Sequence, residues 1–154
     1  MAYTLEEKIQ VEAIKCPDHY YTATYEHRTL LSNGSYGVLI NNDTFMIDQK
    51  KCKGKIEKET FEIFDLMKEA EPATLLRDAV ILKDKTAAIK AVGDTMEMWV
   101  QKQFVQFFGK NKEYYIAKHE EKNVLLIADE YGELTGFALP VEVNEVYKTL
   151  TYIE

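Results

Sequence analysis

A chain of 154 residues with 26 acidic and 19 basic side chains carries a net charge of −7, and 46% of its residues are apolar. That apolar share excludes a disordered polymer, and the negative charge argues against a general nucleic-acid coat while leaving room for a local basic surface. No stretch approaches the ~18 apolar residues that a bilayer span requires. The acid-bearing start MAYTLEEKIQVEA lacks the apolar segment of a secretion signal. Cys16 and Cys52 do not make a disulfide framework. The expected setting is therefore cytoplasmic, with reduced thiols and one α+β domain over residues 1–154.

Thr4-Leu5-Glu6-Glu7 reads as a capping box. Leu5, Ile9 and Ala13 fall on one face behind it, which predicts a helix over 4–15 ended by Cys16-Pro17-Asp18. From Tyr20 to Gln49 the pattern turns to strand. Tyr21, Ala23 and Tyr25 alternate with Thr22, Thr24 and Glu26, Asn33-Gly34 suits a tight hairpin turn, and Tyr36–Ile40 is apolar and β-prone. Asn41-Asn42-Asp43 forms another turn before Phe45-Met46-Ile47, and the whole segment predicts a meander.

Lysines at 50, 51, 53, 55 and 58 crowd the next stretch. Glu59–Glu69 follows as an amphipathic helix, with Phe61, Phe64 and Met67 on one stripe, closed by Glu71-Pro72. Residues 79–82 and 86–92 flank a turn at Asp84-Lys85 and predict a second hairpin. Val100, Phe104, Phe107 and Phe108 have the spacing of one buried helical face, so a helix is expected over 99–108 with Gly109 after it. Three strand-like runs follow, at 113–118, 124–128 and 134–143. In the last, Phe137, Leu139, Val141 and Val143 share a face. Asn144 is read as the cap of a final turn containing Val146 and Leu150. The fold class expected is α+β, an antiparallel sheet or sheets with two to three helices on one face.

Motifs for chemistry are sparse. The seven glycines are scattered, and no phosphate-cradling G-x-G-x-x-G or G-K-[ST] occurs. Cys16-x-x-His19 is the one compact pair of zinc-type ligands. No second tight pair completes it, so it reads as a buried thiol beside a polar turn, and no metal or cofactor is expected. Neither cysteine nor any serine sits in a nucleophile signature. Glu6-Glu7, Glu120-Glu121 and Asp129-Glu130 read as solvated faces rather than an acid–base pair. The chain is expected not to be an enzyme.

The polar side of the 99–109 segment is more informative. It carries Gln101, Lys102, Gln103 and Gln106, with Lys110 and Lys112 just beyond, and the 14 positions from Trp99 to Lys112 hold no acid. Lysine and glutamine contact phosphate oxygens without reading sequence. Gln101, Lys102, Gln106, Lys110 and Lys112 are the candidate DNA-binding residues; the alternative is a solvated helix face. The Lys50–Lys58 cluster is a second candidate basic surface.

The order Met96-Glu97-Met98, helix 99–108, Gly109 and three strands ending in Phe137-Ala138-Leu139-Pro140-Val141 resembles the closing βαβββ half of a bacterial-type DNA sliding-clamp (polymerase processivity factor) domain. The resemblance covers 95–143. Val124-Leu125-Leu126-Ile127 before Asp129-Glu130-Tyr131-Gly132 is similar to that family's apolar strand and turn, and Arg28–Ile47 to an earlier strand pair. Two departures stand out: Glu142 occupies a position where the family motif carries a base, and the first half lacks a second clean unit. The resemblance implies a non-enzymatic, phage-related or mobile-element protein that binds DNA backbone or replication proteins through an inward-facing helix. Family rings are built from six such domains, so a ring would need a homo-oligomer of this chain. The competing expectation is a protein-interaction or regulatory module that touches no nucleic acid and uses its sheet edges. No membrane partner is expected.

Overall fold

Helix α1 (Leu5–Lys15) begins where its capping box predicts. Thr4 Oγ1 accepts from the Glu7 N–H at 3.2 Å, and Glu7 Oε1 accepts from the Thr4 N–H at 3.1 Å. Ile9 and Ala13 are buried, and Leu5 packs against them from the edge of the same core. The helix stops at Lys15, because Cys16 leaves helical geometry and Pro17–His19 forms a single 3-10 turn. In the computed structural model, residues 4–25, 27–55, 65–82, 85–141, 143 and 146–150 are described.

A meander of β1 (Tyr21–Tyr25), β2 (Arg28–Ser32) and β3 (Tyr36–Asn41) follows. Its second turn closes through Asn33 N–H to Tyr36 O, with Gly34 at φ +94°. Only glycine adopts that backbone without strain. The threonine side of β1 is wet only in part: Thr24 is exposed, but Thr22 is fully buried, and its hydroxyl donates to Gln49 Oε1 at 3.2 Å.

Phe45-Met46-Ile47 does not extend the meander. Gln10, buried on α1, uses its side-chain amide as a strand would use its backbone. Nε2 donates to Thr44 O at 3.1 Å and Oε1 accepts from Met46 N–H at 2.7 Å. That segment therefore docks on a helix rather than a sheet. Strand β4 (Gly54–Lys55) then pairs in parallel with β1.

Most of the helix expected over 59–69, including Phe61 and Phe64, lies outside the described residues, as does Lys58. Its described end, Leu66–Lys68, is a 3-10 turn. Glu71-Pro72 opens a strand instead of merely closing a helix: β5 runs from Glu71 to Leu82 and pairs with β6 (Ala87–Val92) in the expected hairpin. Lys85 supplies the positive φ of that turn.

The helix expected over 99–108 is shorter. Residues Glu97–Gln101 form β7, registered against Val92–Ala88, and α2 spans Lys102–Phe108. Val100 is buried, as its spacing predicts, but from a strand. Strands β8 (Glu113–His119) and β9 (Lys122–Ala128) match expectation closely, whereas β10 covers only Leu134–Ala138. Its apolar alternation continues without sheet pairing because the chain turns off: Leu139 N–H donates to Ser35 O and Val141 N–H to Trp99 O. The final segment is not a capped turn. Val146–Leu150 is β11, antiparallel to β5 with Val146 opposite Leu82 and Leu150 opposite Ala79, while Asn144 lies outside the described residues.

Among the described residues the strands follow the order β4-β1-β2-β3-β10-β9-β8-β5-β6-β7, with β11 beside β5. All pairings among these described strands are antiparallel except β1 with β4. The architecture is α+β around a large mixed sheet. Strand β5 divides it: Glu71–Ala73 pair with β8, and Ala79–Leu82 pair with β11. The main core gathers Ile9 and Ala13 of α1, Val105 and Phe108 of α2, and the inner residues Val38, Ile89, Val100, Leu125 and Ile127. Both described helices thus pack into one core. The opposite face of the meander and β8–β10 buries a second cluster around Leu30, Leu126 and Phe137.

Candidate nucleic-acid interface

Strand β7 hands over to α2 at Gln101, whose backbone is still extended and whose partner Ala88 is the last of β6 in register. Helical periodicity then sorts the side chains. Val105 and Phe108 are buried, and Phe104 and Phe107 pack on the core's edge against Tyr36, with ring centroids 4.8 and 5.2 Å away. Gly109 ends the helix at φ +87°, its N–H bonded to Gln106 O.

Tyr36 also shares a phenol hydrogen bond with Tyr20. Burial pushes both hydroxyls above the ordinary tyrosine range; the adjacent phenol raises Tyr36 further, while the hydrogen bond pulls Tyr20 partly back. Both phenols are thereby held neutral, and the Tyr36 ring packs β3 against Phe104, Phe107 and Phe108 of α2.

Lys102, Gln103 and Gln106 are exposed on the opposite side, with Lys102 and Gln106 one turn apart, and Lys110 is exposed beyond the helix. Gln101 is half-buried and its Oε1 accepts from Gln103 Nε2 at 2.6 Å, so those two amides are partly engaged with each other. No lysine of this face has an ion-pair partner among the described residues.

Lys112 is set apart from the other four candidates. It lines a cleft of about 770 Å³ together with Glu6 and Glu7 of α1, Asp43, Met46 and Asp129. The five candidate residues therefore make one small basic-polar face and one flank that opens onto carboxylates. In the sequence, Glu6-Glu7 and Asp129-Glu130 read as ordinary wet faces. Nothing local marks their convergence, because the acids come from α1, the turn after β3 and the turn after β9.

Cys16 is exposed at the end of α1 rather than buried, and His19 is exposed as well. Among the described residues no group of three or more His, Cys, Asp or Glu side chains is arranged to hold a metal ion, and no helix is long and apolar enough to cross a membrane. No protein-family model, curated protein or solved structure matches this chain significantly.

Proposed function

We propose that this chain is a non-enzymatic, DNA-clamp-like protein that contacts the DNA backbone through the exposed side of α2. The reading is carried by one observation: Lys102, Gln103 and Gln106 form a solvent-facing helical surface, followed by Lys110, with no acid within it, in a chain of net charge −7. The strand–helix–three-strand order of β7, α2, β8, β9 and β10 supports the sliding-clamp likeness. Contacts of this kind position a duplex without reading its bases, and they weaken as salt displaces them.

Fluorescence anisotropy of a labelled duplex at low and rising salt tests the reading. Each of Lys102→Glu and Lys110→Glu is expected to weaken binding alike on unrelated sequences and to reduce the salt slope by about one. Absence of binding by the unaltered protein at low salt ends the proposal. The second reading, a protein-interaction module without nucleic acid, is favoured by the cleft, whose four carboxylates around the exposed Met46 suit a basic protein segment. Recovery of one stable partner from nuclease-treated lysate, with no DNA retention, would select it.

A further inference from the structure

Strand β4 ends the strand order among the described residues, and the surface beside it is basic and aromatic together. Lys50, Lys51, Lys53 and Lys55 are all exposed, and no acid occurs between Gln49 and Lys55. The neighbouring Asp48 is engaged as a cap, its carboxylate accepting from Lys50 N–H at 3.0 Å. The segment is built rather than loose. Lys53 N–H donates to Tyr20 O at 2.8 Å, Gln49 accepts from the buried Thr22 hydroxyl, and Gly54 and Lys55 pair with Tyr21 and Thr22 of β1. That pairing sets Tyr21 opposite a residue with no side chain. A Cβ at Gly54 would lie 4.0 Å from the Tyr21 ring, so a larger residue there would cover a flank that glycine leaves free. The ring is half-buried, and the Lys53 ammonium lies 5.4 Å from its centre.

Lysines alone take any polyanion. A tyrosine ring among them adds a contact that only a strand with free bases can use, because an aromatic face stacks on a base whatever its identity. In a duplex those base faces are already stacked on one another, whereas a single strand leaves them free. We propose that this β1–β4 edge binds single-stranded nucleic acid without reading its sequence, the lysines following the phosphates and Tyr21 stacking on a base. An acidic protein segment would satisfy the lysines and leave the ring without a role. Helix α2 offers no comparable platform, since Phe104, Phe107 and Phe108 pack around Tyr36. The two surfaces therefore suit different forms of nucleic acid, and the net charge of −7 confines each contact to its own patch. The inference stands independently of duplex binding at α2.

Fluorescence anisotropy of the full chain with labelled oligothymidylate, oligouridylate and an abasic strand of the same length provides the test. The unaltered protein is expected to bind at least one of the two base-bearing strands at low salt, and the tighter one tells DNA from RNA as the source. The abasic strand is expected to bind about tenfold more weakly, which reads the stacking without altering the protein. Tyr21→Leu is expected to lose the same factor on the base-bearing strand and Tyr21→Phe to retain it, with circular dichroism confirming that both fold. Lys51→Gln/Lys55→Gln is expected to lower the salt slope by about 1.4, two phosphates at about 0.7 each. Lys102→Glu is expected to leave single-strand binding unchanged, so this inference and the α2 reading can fail separately. The proposal is overturned if no single strand binds at low salt, or if the abasic strand or the Tyr21→Leu variant binds as tightly as its reference. It also fails if polyglutamate displaces the labelled strand as well as unlabelled oligothymidylate does, which assigns the lysines to an acidic protein segment instead.

Discussion

The middle of the sheet and its β5–β6–β7 arm are built on different principles. At the centre, β9 buries five successive residues, Val124 to Ala128, so both of its faces lie in apolar cores. Its neighbour β10 lies so close to β3 on its other side that a Cβ on Gly136 would run into the Gly37 carbonyl. The arm buries Ile89, Ala91, Met98 and Val100 inward, and among the described residues its other face buries a smaller cluster of Val80, Leu82 and Ala88, edged by Trp99, Val141 and Val143. Polar clasps supplement it: Lys90 pairs with Glu97 at 3.1 Å, Asn123 donates to Glu97 O, and Glu71 grips the turn between β6 and β7. Where burial is two-sided, volume holds the chain. Where it is one-sided, hydrogen bonds and charge contribute more.

The sharpest way to break that contrast is to remove volume from each region. Leu125→Ala leaves a cavity in the fully buried centre and is expected to cost about 4 kcal/mol in urea unfolding. Leu76→Ala, at an arm position 44% exposed, is expected to change stability by less than about 0.5 kcal/mol. Comparable losses at both positions would show that the arm is as tightly packed as the centre. Gly136→Ala comes next, at about 3 kcal/mol by overpacking. A Cβ there would lie 2.6 Å from the Phe108 ring and closer still to the Gly37 carbonyl, a backbone atom of a strand paired on both sides. A fully stable Gly136→Ala variant would mean that β3 and β10 do not hold that spacing.

The same contrast explains how far the sequence could be read. Local signals were reliable where one element supplied both the signal and its consequence. The Thr4–Glu7 box, Gly34 in its turn, Gly109 after α2, and the β8 and β9 runs are all as expected. Readings failed where a distant partner decided the outcome. Residues 45–47 have strand composition, yet Gln10 from α1 claims their backbone. Trp99 and Val100 open the expected helix, with Val100 on its apolar stripe, yet β6 pairs with them. Val146–Leu150 becomes a strand because β5 outruns β8 and offers an open edge. For the candidate interface, the acid-free face of α2 was legible from composition alone. That Lys112 shares a cleft with acids was not, since those acids lie 17 to 106 residues away along the chain, on elements joined only by the fold.

The smallest effect expected is also the one that best separates arm from centre, because it depends on pH. The Glu71 carboxylate accepts from the Thr95 hydroxyl, from the Thr95 N–H at 2.7 Å and from the Met96 N–H at 3.3 Å, tying the start of β5 to the β6–β7 turn. The Thr95 hydroxyl, followed by these backbone donors, holds its pKa below the ordinary glutamate value. A carboxyl whose folded pKa is lowered adds stability above its unfolded pKa, near about 4.3, and that stability is lost as pH falls through the folded value. Glu71→Gln is therefore expected to melt below the unaltered protein at about pH 6 and to converge with it toward about pH 3. The deficit of Leu125→Ala, which involves no titrating group, is expected to persist across the same range. A Glu71→Gln deficit that stays constant with pH would mean the clasp acts through shape alone, and the arm would then be held by the same means as the centre.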